Sequence, residues 1–134
     1  MTDTFQSEKT DASAWFNSLR GDIVARFESI ERQHVSNTSP GQFVVKKTNR
    51  TSDDGSDAGG GLMSVMRDGR VFEKVGVNIS TVFGTLGRRA QEAMVARKGL
   101  VRMHKDPRFW ASGISVVAHM IYPHCPAVKM KSMM

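Results

Sequence analysis

Cysteine is almost missing from this chain: Cys125 stands alone among 134 residues, so a disulfide framework and a cysteine zinc site are both excluded within one chain. No apolar run approaches the ~18 residues of a membrane span. The opening MTDTFQSEKTD is polar and acidic, where a signal peptide needs a basic start followed by an apolar stretch. The expectation is a soluble, cytoplasmic protein without a membrane span. Aromatics make up 7% and there are only four prolines, with no internal repeat, which removes fibrous and collagen-like classes. A hydrophobic fraction of 40% and a charged fraction of 24% are those of one ordinary folded domain.

Acidic residues are scarce at one end. Residues 95–134 hold Arg97, Lys98, Arg102, Lys105, Arg108, Lys129 and Lys131 against Asp106 alone, and the whole chain carries +6. Clustered cations concentrate anions, so the partner classes are nucleic acid, phosphate or a polycarboxylate. Nucleic-acid binders interleave such bases with aromatic or helix-borne contacts. That pattern is lacking, and no nucleic-acid partner is expected.

Residues 12–34 carry Trp15, Phe16, Leu19, Ile23, Phe27 and Ile30 at steps of three and four, one stripe of an amphipathic helix. Asp11 or Ser13 is the expected cap, and Arg20, Asp22, Arg26, Glu28 and Arg32 are expected on the outside. Gln42 to Lys46 reads as a short strand. Residues 48–61, dense in Asn, Ser, Asp and Gly with Ala58 as the one apolar residue, read as a flexible loop. The spacing predicts a strand-rich core over 62–128. Within it Asp68-Gly69 signals a type I′ hairpin turn, and alternation places Val71, Val75, Val77 and Ile79 on one face with Lys74, Asn78 and Ser80 on the other. Residues 85–98 read as a short helix stopped at Gly99, with a weak apolar face of Leu86, Ala90, Ala93 and Met94. A basic connector follows. In 111–122, Ser115, Val117 and His119 share one strand face and Ile114, Val116 and Ala118 the other. Pro123 and Pro126 keep the end extended and out of a central strand position, and 129–134 is the chain's divergent end.

Of the four histidines, His119 and His124 stand five apart, a spacing that matches no standard metal motif. From spacing alone a structural histidine is the default for His119, and His34 is read as a cation at a helix C-terminus. The DDGSDAGGG stretch lacks the ending of a P-loop, and Ser115 lies outside any nucleophile elbow.

Two long segments carry a more specific signal. GGGLMSVMRDGRVFEKVGVNISTVFG (59–84) and DPRFWASGISVVAHM (106–120) resemble the oxygen-dependent coproporphyrinogen III oxidase family, as does the helix start at Trp15. The likeness covers most of 12–128. It implies an enzyme of haem biosynthesis that oxidatively decarboxylates two propionates of coproporphyrinogen III to vinyl groups, giving protoporphyrinogen IX. Molecular oxygen is the implied co-substrate, with a divalent metal cation as a further candidate and no organic cofactor. The implied fold is α+β, an antiparallel sheet flanked by helices, in a homodimer.

Residue by residue, Ser115 matches the family's substrate contact and His119 its divalent-metal or active-site histidine. After PAV the family continues with a proton-donor histidine, then an Asn and an Arg that bind substrate. Here Lys129 stands at the donor position, while Lys131 and Met133 replace the Asn and Arg. Family members continue through roughly a second half of fold, so the expectation is a truncated sheet with an unpaired edge and poor solubility. A non-catalytic chain that binds a tetrapyrrole or a partner is the alternative reading.

Overall fold

The computed structural model describes residues 5–98 and 108–134. Two helices, α1 (Gln6–Gln33) and α2 (Arg88–Lys98), accompany five strands: β1 (Phe43–Thr51), β2 (Asp57–Arg67), β3 (Phe72–Thr85), β4 (Arg108–Met120) and β5 (Val128–Met133). Every neighbouring pair is antiparallel and the strand order follows the chain. This is the expected α+β arrangement. Gly99 and the basic connector through Pro107 lie outside the described residues.

Helix α1 covers one face of the sheet. Phe16 packs with Met66, Phe72, Val75, Val77, Ile114, Val116 and Ala118, and Leu19, Ile23, Val24 and Phe27 close over them. The Phe27 ring meets Phe72 edge-on, with centroids 4.9 Å apart. Burying these side chains is the main source of stability, at roughly 1.5–3 kcal/mol for each large one. The helix begins at Gln6, ahead of the expected 12, and neither Asp11 nor Ser13 caps it, because both lie inside it. Trp15 remains 59% exposed and Ile30 39%. The row that faces the sheet runs Phe16, Leu19, Ile23, Phe27 and then Glu31 at steps of three and four; Ile30 stands one position off it, and at the other end Phe16 takes the inward place beside Trp15. Two residues expected outside face inward as well: Arg20 Nη1 donates to the buried Ser64 hydroxyl at 3.2 Å, and the Phe43 N–H donates to Glu28 at 3.0 Å.

Residues 48–61 form a paired hairpin and not a flexible loop. Thr48 to Arg50 pair with Gly61 to Gly59, and β2 is hydrogen-bonded on both sides. Glycine is what the position requires: at Gly59, φ is +117° and a Cβ would collide with the Thr81 carbonyl oxygen. The Ser and Asp residues supply the turn. Asp54 accepts from the Ser56 hydroxyl at 2.6 Å, the Ser52 hydroxyl at 2.7 Å and the Ser56 N–H at 2.9 Å. These bonds, led by the Ser56 hydroxyl, lower the Asp54 carboxyl from 3.8 to about 2. Because the folded value is depressed, the turn's contribution is fully present above pH 3.8 and is lost as the pH falls toward about 2. A carbon-detected NMR titration should give Asp54 a midpoint near 2, and a midpoint at the ordinary carboxylate value would contradict the bonding.

The β2–β3 connection departs from a type I′ turn. Asp68 has φ of +54°, but Gly69 is not in the positive region, whereas a type I′ turn needs both. The strand after it shifts register between Phe72 and Lys74, leaving Glu73 as an extra residue. Such a bulge turns the chain over, so Phe72 joins Val75 and Val77 in the core. Helix α2 starts three residues after the expected Thr85, and Ala90 and Ala93 are exposed. At the other end the chain is extended and outside a central position, as expected: Val128 to Met133 pair with Ala118 to Gly113 at the edge of the sheet. Every residue of β5 is exposed, as suits the last strand in the order.

Candidate functional site

The opposite face of the sheet is the one that α1 leaves uncovered. Residues paired directly across antiparallel strands point the same way, so the register defines this face rung by rung. The first rung is Val44, Val65, Gly76, Val117 and Lys129; the second is Lys46, Met63, Asn78, Ser115 and Lys131; the third is Thr48, Gly61, Ser80, Gly113 and Met133. A fourth, shorter rung joins Arg67, Lys74 and His119. With strands ~4.8 Å apart and same-face residues ~6.8 Å apart, the face measures about 19 Å by about 20 Å.

Its chemistry is zoned. Gly61, Gly76, Ser80, Gly113 and Ser115 leave the middle low, while Val65, Met63 and Val117 give it apolar surface. Lys46, Arg67, Lys74, Lys129 and Lys131 stand around this centre, and the first three rungs carry no carboxylate. Most of these cations are invisible as a group in the sequence, because Lys46, Arg67 and Lys74 lie outside the basic stretch 95–134. Only folding brings Lys46, Arg67 and Lys74 onto one face with Lys129 and Lys131. Such a surface suits a broad, largely apolar ligand with several acidic groups at its edge.

The residues singled out from the sequence fall on this face together. Ser115 is half-buried on the second rung opposite Lys131, and His119 lies on the same face of β4, opposite Lys74. Lys129 sits opposite Val117, fully on the exposed β5 strand. His119 lines a crevice of about 320 Å³ with Arg67, Asp68, Glu73 and Lys74. Among the described residues no three His, Cys, Asp or Glu side chains converge as a metal-binding group, and two cations border His119. These residues by themselves do not fit a divalent-metal centre. His124 lies apart, on the β4–β5 connection, its ring 5.3 Å from that of Tyr122. A larger crevice, about 660 Å³, opens on the helix-covered side between the start of α1 and Phe83, Phe109 and Trp110. It shares no residue with the four rungs of the open face.

What holds the His119 end in shape is a residue that no sequence motif flags. Glu31 is fully buried, and its carboxylate accepts from the N–H groups of Arg70 at 2.5 and 2.8 Å, Val71 at 2.7 Å and Gly41 at 3.3 Å. The Arg70 side chain returns to the helix end, donating to the carbonyls of Thr38 at 2.6 Å, His34 at 2.9 Å and Glu31 at 3.4 Å. Arg70, and not the His34 ring, thus answers the orphan carbonyls at the helix C-terminus. The turn so pinned carries Asp68 into the His119 crevice. The available signal for Glu31 is the i+4 row ending on an acid.

Comparison with known proteins bears on what this face is for. The family model described as coproporphyrinogen III oxidase matches residues 11–134. The chain is 43% identical over 118 residues to the oxygen-dependent coproporphyrinogen-III oxidase of Rickettsia bellii (strain RML369-C), covering 87% of this chain and 38% of that protein. It is 42% identical over 122 residues to the enzyme of the same name from Rickettsia felis, and 41% identical over 122 residues to that from Rickettsia prowazekii, covering 90% of this chain and 39% of each relative. The chain therefore spans under two-fifths of the length of these curated relatives. No helix among the described residues is long and apolar enough to cross a membrane. By the extent of the family match, the chain belongs to the coproporphyrinogen III oxidase family.

Proposed function

We propose that this chain carries a substrate-binding face for the oxygen-dependent oxidation of coproporphyrinogen III to protoporphyrinogen IX, working in the cytoplasm as part of a homodimer. The observation that carries the reading is the open sheet face itself, which gathers Ser115, His119 and a ring of cations around an apolar, small-residue centre. The substrate is a broad ring with four propionates at its rim. In the reaction each of two propionates loses carbon dioxide, two electrons and one proton to become a vinyl group, and molecular oxygen takes the electrons. Nothing in this stoichiometry calls for an organic cofactor.

The chain's own residues bind and orient. Lys46, Lys74, Lys129 and Lys131 hold propionates at the rim, each as a point charge. The Ser115 hydroxyl donates to one carboxylate from the floor. His119 lends a single imidazole at the Lys74 end, to a propionate or as one ligand of a divalent cation. Lys129 stands where the family has its proton-donor histidine, exposed on β5, and Met133 has no donor for a carboxylate. This second observation favours binding over turnover for the chain taken alone.

The test is aerobic incubation of the chain with coproporphyrinogen III, following carboxyl loss by mass spectrometry, with an anaerobic control and a full-length relative alongside. Oxygen-dependent loss of two carboxyls is the outcome that assigns turnover to these 134 residues. Tight binding without loss assigns them the binding face only. Absence of both, with the relative active, overturns the proposal.

A further inference from the structure

The middle of the open face holds a side chain that the cation ring does not explain. Asn78 lies on the second rung between Met63 and Ser115. Its Oδ1 is buried and has no hydrogen-bond partner, alone among the buried side-chain oxygens and nitrogens of the described residues. A buried acceptor without a donor is costly, and such atoms are rare in folded chains. Its surroundings leave room for a donor to arrive: a Cβ at the adjacent Gly76 would meet only the Asn78 amide nitrogen, at 3.7 Å. A half-turn about the last side-chain bond exchanges the amide oxygen and nitrogen with little change of shape. That turn brings the oxygen over Gly76, toward the open side.

The donor must come from the centre of the ligand. Carboxylates at neutral pH only accept, and they belong at the rim, with the lysines. The ring proposed above carries pyrrole N–H groups at its centre. Resting on that reading, we infer that Asn78 accepts a hydrogen bond from a pyrrole N–H of the bound ring. It thereby selects macrocycles whose nitrogens still carry hydrogen over those whose nitrogens hold a metal. The rim cations cannot make that distinction, because both kinds of ring present the same carboxylates.

The experiment measures two affinities under anaerobic conditions on the whole chain: that for coproporphyrinogen III, and that for zinc coproporphyrin III, which has no N–H. The chain is expected to prefer the N–H ring by about tenfold, the worth of one hydrogen bond near 1.4 kcal/mol. In Asn78→Leu, similar in size and without an acceptor, the preference falls to roughly twofold or less while zinc coproporphyrin binding is kept. The melting temperature of this variant should hold or rise, since the orphan oxygen is gone. An unchanged preference in Asn78→Leu, or a fallen melting temperature with both affinities reduced alike, overturns the assignment and leaves the binding face standing. Failure of the chain to bind either ring overturns both.

Discussion

Glu31→Ala is expected to remove ~3–5 kcal/mol of stability, the range for breaking a buried charged cluster and orphaning its partners. The side chain is wholly enclosed, and its loss leaves the N–H groups of Gly41, Arg70 and Val71 without an acceptor. Total stability for a domain is about 5–15 kcal/mol, so this one substitution takes a large share of it. Glu31→Gln keeps one acceptor oxygen but points an NH₂ group at donors, and about half the loss is expected. Urea unfolding of the three proteins measures both values. A loss below ~0.5 kcal/mol, the level of an ordinary surface substitution, would show that the cluster does not hold the β2–β3 turn to the helix.

The second large effect concerns binding. Reversing Lys129→Glu together with Lys131→Glu is expected to weaken coproporphyrinogen III binding ~100-fold at low salt, from two attractions turned into repulsions at an exposed edge. The β5 side chains are all exposed, so the fold should survive the change. Raising the salt to about 0.5 M should shrink the difference markedly, because exposed charges are screened within a few ångströms there. Arg26→Glu with Lys47→Glu alters the net charge equally but lies off the open face, on α1 and on the helix-side register of β1. Equal weakening by both pairs would mean that net charge alone attracts the ligand and that the face has no part in holding it.

Much of the core is legible in the sequence because its signal is local. Alternation from Val75 to Ile79 and from Ile114 to Ala118 names the buried faces, and the same alternation places Ser115 with His119. Phe72 escapes that pattern because the extra residue Glu73 turns the strand over, and no periodicity announces a bulge. The stretch 48–61 hides its strands for a related reason. Glycine has no side chain to show which face is buried, so a central strand and a loop look alike there. The site is less legible than the core. Lys46, Arg67, Lys74, Lys129 and Lys131 share one face only through strand register, and Glu31 is inward only because its turn partner, thirty-nine residues on, needs an acceptor.

Long-range register is also what a ligand experiment can read directly. On the proposed function, the face of the sheet that α1 leaves uncovered binds the tetrapyrrole. Backbone NMR of the chain, titrated anaerobically with coproporphyrinogen III, should move the signals of Gly76, Asn78, Ser115, Val117, Lys129 and Lys131. Signals around the covered crevice at Lys9, Phe83 and Trp110 should stay in place. Movement confined to that crevice, with the open face unchanged at saturating ligand, would contradict the claim.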